Sequence, residues 1–378
     1  MRLLLLSCAR TRATDLHVEP KASDYIVRLR IDGTMVEAMH LDRRTAQRLV
    51  GVTKVLSDID ISQRAIVQEG HFSVQLAGRR IDYRVSFTPS VHGQKLVIRV
   101  LDLANAPRYL TDLQMPEWMS NQIRRVSKQD AGMILVTGPT GSGKTTTLYT
   151  VLRDIDVNQR NVVTIEDPVE YQLPGVTQIP VDAHKGNNFA QLLRSILRQD
   201  PDVILLGEIR DKETAMTAMQ AAMTGHLVLS TVHAKDTIGT IFRLLDLGIE
   251  PYLVASALNL VIAQRLVRVL CPHCKVEKKP TPQQQMRMGK AIEGMTRIYI
   301  PAGCSKCMDT GYAGRRAIFE LLQVTDEIRD LILKSPTITA IRDSLKMEVF
   351  TSLQHNGYKL VAEGVASMDE IERVTGTE

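Results

Sequence analysis

The run Met133 to Thr137 leads straight into Gly138, Pro139, Thr140, Gly141, Ser142, Gly143, Lys144 and Thr145, and nothing else in the chain constrains the fold as much. A G-x-x-x-x-G-K-[ST] loop carries meaning only between a strand and a helix. Both flanks fit, since Met-Ile-Leu-Val-Thr reads as a buried strand and Thr146 to Leu152 can open a helix. Glycines let the backbone wrap closely around an anion, with N–H groups converging at the helix N-terminus. In such a loop Lys144 bridges the β- and γ-phosphates of a nucleotide and Thr145 holds Mg²⁺. The expected ligand is therefore ATP with Mg²⁺, held by Gly138 through Thr146.

Three more short apolar runs follow: Val162 to Ile165, Val203 to Leu206 and Leu227 to Thr231. Unbroken runs of this length suit strands buried on both faces, as in a parallel sheet covered by helices. Strands alternating with helices imply right-handed crossovers and an α/β fold. The segment Asp202 to Glu208 is an apolar strand ending in an acid, and Glu208 falls at the strand's C-terminal end, where open α/β sheets bind ligands. Glu166, Asp167 and Glu170 crowd the end of another strand. Beside a phosphate loop these acids become candidates for handling the metal and the attacking water: Glu208, Glu170 and Glu166. His226 and His233 bracket Leu227 to Val232, and His233 is the first candidate for sensing nucleotide, His226 the second.

At about 100–200 residues per domain, 378 residues make two or three domains. The first hundred residues alternate polar and apolar at Tyr25 to Ile31, His71 to Leu76, Arg80 to Phe87 and Lys95 to Leu101, with a helical stretch from Arg43 to Leu56. This is a small α+β domain, residues 1–104, joined by a linker at 104–107 to an ATPase domain, 105–378. The opening Leu3 to Leu6 run is shorter than the roughly 7–15 residues of a secretory signal, so it reads as a first helix with Cys8 in a core. No stretch approaches the ~20 apolar residues of a membrane span; the longest candidate is Tyr252 to Ala263.

Cys271, Cys274, Cys304 and Cys307 form two C-x-x-C knuckles, the ligand spacing of a tetrahedral four-sulfur Zn²⁺ site. Two redox pairs or disulfides are the alternative. His273 lies inside the first knuckle, but four thiolates suffice. The net charge of +5 is uneven: +5 over 1–105, −3 over 106–263, +8 over the cysteine module at 264–316, and −5 over a helical C-terminal part at 317–378. The module's charge raises the question of nucleic acid. Only Tyr299 and Tyr312 supply aromatics there, too few for base stacking, so an acidic protein surface or an anionic membrane face is the expected partner and nucleic acid is not.

Together these motifs resemble the secretion ATPase superfamily, and within it the type II secretion and type IV pilus assembly ATPases, the GspE/PilB group. The loop at Gly138, the acids Glu166 to Glu170, the segment Asp202 to Asp211 and the segment Thr224 to Ala234 stand in the family's order. Leu192 to Asp202 and Ala13 to Pro20 are also similar to family segments, so the resemblance covers nearly the whole chain. It implies a RecA-like P-loop NTPase core, a smaller N-terminal PAS-like α+β domain, an inserted zinc module and a homo-hexameric ring. It further implies an inner-membrane platform protein and a cytoplasmic adaptor as partners, and a cytoplasmic place peripheral to the bacterial inner membrane through them. Arg84 and Arg99 match the family's paired arginines, offered to a bound nucleotide; such a contact contributes about 10³–10⁵ in rate in well-studied cases. The tetracysteine segment favours assembly or secretion over pilus retraction; a nucleic-acid-handling or conjugative-type ATPase is the alternative. Two departures stand out. The family often carries a further N-terminal domain, whereas only a short segment precedes Ala13, so a short member or part of a longer protein is expected. At Gln94 the family commonly has Glu.

Overall fold

The alternating segments of the first hundred residues pair into one antiparallel sheet in the computed structural model, which describes residues 1–378 apart from 77, 103, 105, 183–185, 290–295, 335, 346–349 and 377–378. The strands are β1 (Ala13–Pro20), β2 (Tyr25–Ile31), β3 (Thr34–Leu41), β4 (Gln68–Leu76), β5 (Arg79–Ser90) and β6 (Gly93–Leu101), in the order β3-β2-β1-β6-β5-β4. Along β2 every second residue is buried, the period of a sheet with one covered face. Asp32 and Gly33, both at positive φ, make the tight β2–β3 turn. Helices α1 (Arg2–Thr11) and α2 (Arg43–Leu56) supply Leu4, Leu5, Cys8, Ala46, Leu49 and Val50 to the core. Asp42 caps α2 by accepting from the Thr45 N–H at 2.9 Å. The first helix is the one expected, and burial pushes the Cys8 thiol up to about 12, so it packs as an inert small hydrophobe. Of the expected linker, Asn105 lies outside the described residues.

The second sheet has seven strands: β7 (Gly132–Thr137), β8 (Val162–Glu166), β9 (Thr177–Pro180), β10 (Val203–Leu206), β11 (Leu227–Val232), β12 (Leu258–Leu270) and β15 (Tyr312–Gln323), in the order β15-β12-β7-β11-β10-β8-β9. Between β12 and β15 a short ladder joins β13 (Val276–Lys278) to β14 (Ile298–Ile300). Residues of β7, β8, β10 and β11 are buried throughout, and their side chains alternate between two cores. Met133, Leu135, Ile204, Leu206 and Val228 enter the core built with α5 (Phe189–Ile196), α6 (Lys212–Met223), α7 (Thr237–Asp246), α8 (Pro251–Ala257) and α10 (Asp326–Lys334). Ile134, Val136, Val203, Leu205 and Leu227 enter the other, with α3 (Glu117–Ser127) and α4 (Lys144–Arg153). Both faces are covered, which is why these strands read as continuous apolar runs.

The fold class is thus the expected one: an α/β core on a parallel sheet, a smaller α+β unit and a four-cysteine cluster. Backbone contacts divide the chain into one unit of 1–106, 270–275 and 301–315, and another of 107–269, 276–300 and 316–378. The apolar run Tyr252 to Ala263 is the junction of α8 with β12, and β12 carries on through residue 264 to Leu270. The C-terminal part opens in β15 before α10, α11 (Ile338–Leu345), α12 (Leu353–Ala362) and α13 (Met368–Thr375). Helices α9 (Pro282–Met288), α12 and α13 cover a further core on Ala263, Val267 and Ile318. Among the described residues no helix is long and apolar enough to cross a membrane.

Candidate active site

Parallel register sets the site. Leu227 pairs with Gly132 and Val232 with Thr137, while Val203 pairs with both Leu227 and Val162, so β7, β11, β10 and β8 end on one edge of the sheet. The loop Gly138–Gly143 leaves β7 at that edge and delivers the chain to α4, whose N-cap is Gly143. A glycine cap has no side chain to satisfy the helix's first N–H groups, and these, with the helix dipole, favour an anion. Gly138 sits at φ 153° where a Cβ would lie 2.5 Å from the Gln264 carbonyl oxygen, and Gly143 sits at φ 88° where a Cβ would lie 2.8 Å from Gln264 Nε2. Only glycine fits at either. Ser142 Oγ is buried in the loop without a hydrogen-bond partner. A cradle of backbone with an unpaired buried hydroxyl and an uncapped helix suits the phosphates of a nucleotide. Pro139, Thr140 and Gly141 complete the turn, and Thr145 and Thr146 open α4, Thr145 exposed where a bound Mg²⁺ would need its hydroxyl.

Lys144 Nζ donates to the carbonyls of Gly138 and Pro139, both at 3.0 Å. Burial holds this ammonium below its ordinary pKa; nearby Glu208 opposes the shift and Arg265 adds to it. Glu208 follows β10 at the same edge, its side chain largely covered. One oxygen pairs with Arg210, and the other lies 3.5 Å from His233 Nε2. Burial and the Lys144 charge keep His233 below the ordinary histidine pKa against the pull of Glu208, so its ring is neutral at pH 7.

The structure does not gather all the expected residues here. Glu166, the last residue of β8, is only 2% exposed, and its carboxylate accepts from Thr164 Oγ1 at 2.6 Å, Gln178 Nε2 at 3.1 Å and the Tyr149 hydroxyl. Burial, reinforced by that carboxylate, pushes the Tyr149 hydroxyl well above its ordinary pKa. Glu170 stands exposed beyond the strand. His226 precedes β11 and so lies at the opposite edge from Lys144, about 20 Å away at ~3.3 Å per strand residue. Its Nδ1 hydrogen-bonds the Ala221 carbonyl oxygen at 3.0 Å, which caps the end of α6. Arg84 and Arg99 belong to the N-terminal unit, directly opposite each other on β5 and β6. Arg99 donates to Asp15 at 3.1 Å, and Asp15 is also opposite Arg30.

Gln264 and Arg265 escaped the sequence reading. Gln264 lies against Gly138 and Gly143, and its Oε1 accepts from Thr147 Oγ1 at 2.6 Å. Buried Arg265 donates to the Gln264 carbonyl at 2.9 Å and to the Lys235 carbonyl, two residues past His233. The available signal was a polar pair inside an apolar strand.

The four knuckle sulfurs lie within 4.8 Å of one another, with Cys271–Cys304 at 4.0 Å, Cys274–Cys307 at 3.8 Å and Cys304–Cys307 at 3.8 Å. Four thiolates at ~2.3 Å from a Zn²⁺ ion form a tetrahedron with edges of about 3.8 Å, so the group fits. None of the four is in a disulfide. Burial raises the Cys307 thiol, but N–H groups of Cys304 and Gly311 at 3.3 Å outweigh it and bring it to about 7. His273 lies outside the cluster, 3.4 Å from Lys306 Nζ.

The model of a family described as "Type II/IV secretion system protein" matches residues 2–373. The type II secretion system protein E of Aeromonas hydrophila is 42% identical over 372 residues, covering 98% of this chain and 74% of that protein. The type IV pilus assembly ATPase PilB of Myxococcus xanthus is 40% identical over 379 residues, covering 98% and 66%. Among solved structures, the Legionella pneumophila ATPase DotB shares the fold at a TM-score of 0.71 and 21% identity, covering 99% of this chain and 94% of that one. The pilus retraction motor PilT with bound ADP is similar at 0.67 and 25%, covering 100% and 97%. The chain belongs to the type II/IV secretion system protein family, whose relatives named here include a type II secretion system protein and a type IV pilus assembly ATPase.

Proposed function

We propose that this chain is an ATP-hydrolysing motor subunit, working as a homo-hexamer that powers type IV pilus assembly or type II secretion through an inner-membrane platform protein and a cytoplasmic adaptor. The observation that carries the chemistry is the convergence of Lys144, Glu208 and His233 on one edge of a parallel sheet. In this reading the backbone of 138–143, Lys144 and Thr145 hold the triphosphate and its Mg²⁺. The metal, when bound, neutralises charge on the phosphoryl oxygens. Glu208, oriented by Arg210 and His233, aligns the attacking water and draws its proton. Neutral His233 offers a ring nitrogen that can report whether phosphate is present. Glu170 is the second candidate for the water, and Glu166 is a buttress for the end of β8.

Arg84 and Arg99 serve a nucleotide held by a neighbouring subunit. The two stand directly opposite each other on β5 and β6, so a single anion can meet both guanidinium groups and relieve the like-charge repulsion between them. The N-terminal unit and the ATPase core act as the two moving bodies of the motor, and its place is cytoplasmic, at the inner membrane through partners. The cysteine cluster holds Zn²⁺ and favours assembly or secretion over retraction.

Phosphate release at saturating ATP tests the assignment. Lys144→Ala and Glu208→Gln should each lower it by about 10²-fold or more; wild-type turnover in both would overturn it. A membrane pull-down with the Glu208→Gln protein should recover the platform protein.

A further inference from the structure

A cavity of about 210 Å³ lies within the N-terminal unit. One wall is a single face of α2, where Gln47, Val50, Gly51 and Lys54 recur at helical spacing. The others are the loop at Ile61 and Arg64 and the β5–β6 turn, from Pro89 to Gln94. Lys54 is 1% exposed. Its ammonium donates to the Gln63 carbonyl and to Gln68 Oε1, both at 2.7 Å, and lies 5.4 Å from the centre of the Phe87 ring. Both acceptors are neutral, and an ammonium has three donors. Asp60 is the nearby acid; its Oδ1 accepts from Ser62 N at 2.8 Å and Ser62 Oγ at 2.7 Å, and it acts on the ammonium through space rather than by a hydrogen bond. Arg64 adds a second positive charge to the same cavity.

A buried charge normally has a charged partner or a bound ion. This one has two neutral hydrogen-bond acceptors, with Asp60 acting only through space, and its helix face borders the cavity. Gly51 reinforces the point. Glycine inside a helix is unfavourable, yet a Cβ built there meets nothing within 4 Å, so its absence keeps the space open. We propose that this cavity binds a small organic anion, its carboxylate or phosphate head paired with the Lys54 ammonium and its body against Val50 and Ile61. Arg64 at the rim accommodates a second acidic group.

Titration calorimetry on the whole chain tests this with glutarate and phosphoglycolate as probes and neutral glutaramide as control. Saturable binding of at least one anion is expected with Kd in about the millimolar range or tighter, and at least ~10-fold weaker binding of glutaramide. Lys54→Met should abolish it. Because that change also releases Gln63 and Gln68, two milder variants keep the inference open to refutation. Gly51→Leu fills the space without removing a contact, and Gln94→Glu adds a negative charge to the wall; each should weaken binding by at least ~10-fold. No saturable binding by the folded wild-type chain up to about 10 mM would overturn the proposal. Wild-type affinity in both Gly51→Leu and Gln94→Glu would overturn it equally.

Discussion

Replacing Glu166 separates a residue that holds the site from one that performs its chemistry. Its carboxylate is buried, and three donors point at it: Thr164 Oγ1, Gln178 Nε2 and the Tyr149 hydroxyl. Gln178 has a further acceptor in the Tyr171 carbonyl at 3.1 Å, so Glu166→Ala strands chiefly the two hydroxyls. Each buried donor left unsatisfied costs about 1–3 kcal/mol, and the cavity adds to that, so the loss should be about 3–5 kcal/mol. Against a total of about 5–15 kcal/mol this is severe. Glu166→Gln keeps the volume and one acceptor oxygen, and a hydroxyl can rotate to accept from the new amide. Its loss should be about 1 kcal/mol.

Urea unfolding read by fluorescence suits the measurement, because the chain has one tryptophan, Trp118, and it lies on α3 of the same unit. Phosphate release by Glu166→Gln should stay within about 3-fold of wild type, while Glu208→Gln falls by about 10²-fold or more. If Glu166→Gln unfolds like wild type yet loses turnover as Glu208→Gln does, Glu166 is part of the chemistry and the buttress reading is wrong.

Zinc analysis should give one metal per chain, with Cys271→Ser or Cys304→Ser well below one; unchanged metal content would exclude the four-thiolate site. Because the His233 pKa is depressed in the fold, the unfolded chain takes up that proton first. Its contribution to stability is whole above the ordinary histidine pKa and falls as pH drops through it, so His233→Gln should flatten the urea midpoint between pH 7.5 and 5, and an identical slope would count against the assignment. Glu370 is buried and accepts from the Arg268 guanidinium at 2.6 Å and Arg373 at 2.7 Å; burial raises its pKa but the two arginines outweigh that and hold it low. Its stabilisation is present above the ordinary glutamate pKa and lost as pH falls through the depressed one. Glu370→Ala, which removes the buried carboxylate shared by Arg268 and Arg373, should cost about 3–5 kcal/mol in urea unfolding.

Legibility in the sequence followed burial. Strands β7, β8, β10 and β11 were readable because helices cover both faces, and α2 because its apolar stripe begins at a capping Asp42. Strand β3 was not, since it is a sheet edge with no buried residue to set an alternation. Strands β12 and β15 mix apolar residues with Arg265, Arg268, Arg315 and Arg316, so composition placed a boundary at 264 where the sheet runs on. The acid at 166 was visible, but its role depends on Tyr149 and Gln178, which reach it from α4 and β9. The histidines were decidable in advance. In a parallel sheet whose phosphate loop follows β7, only the residue after β11 shares its edge, which admits His233 and not His226.

The phosphate loop's motif identifies it, yet other parts of the chain give it its shape. Gln264 fills the space beneath Gly138 and Gly143 and takes the Thr147 hydroxyl, so the loop is braced from β12 as well as from its own helix. Two side chains then join the loop's foundation to the segment that carries His233. Thr137 Oγ1 donates to the Val232 carbonyl and accepts from the Ala234 N–H, each at 3.0 Å, and Arg265 reaches the Lys235 carbonyl. That segment runs directly into α7, where Thr237 gives both its N–H and its hydroxyl to buried Glu320 on β15. The other oxygen of Glu320 takes the Leu353 N–H at the start of α12, at 3.1 Å. A shift of the His233 segment by a few tenths of an ångström cannot be absorbed locally, because Thr137, Arg265, Thr237 and Glu320 are buried and would lose a hydrogen bond by moving alone. The economical response is for loop, histidine segment and α12 to move together. Contacts of this kind give a nucleotide site mechanical reach into the C-terminal helices.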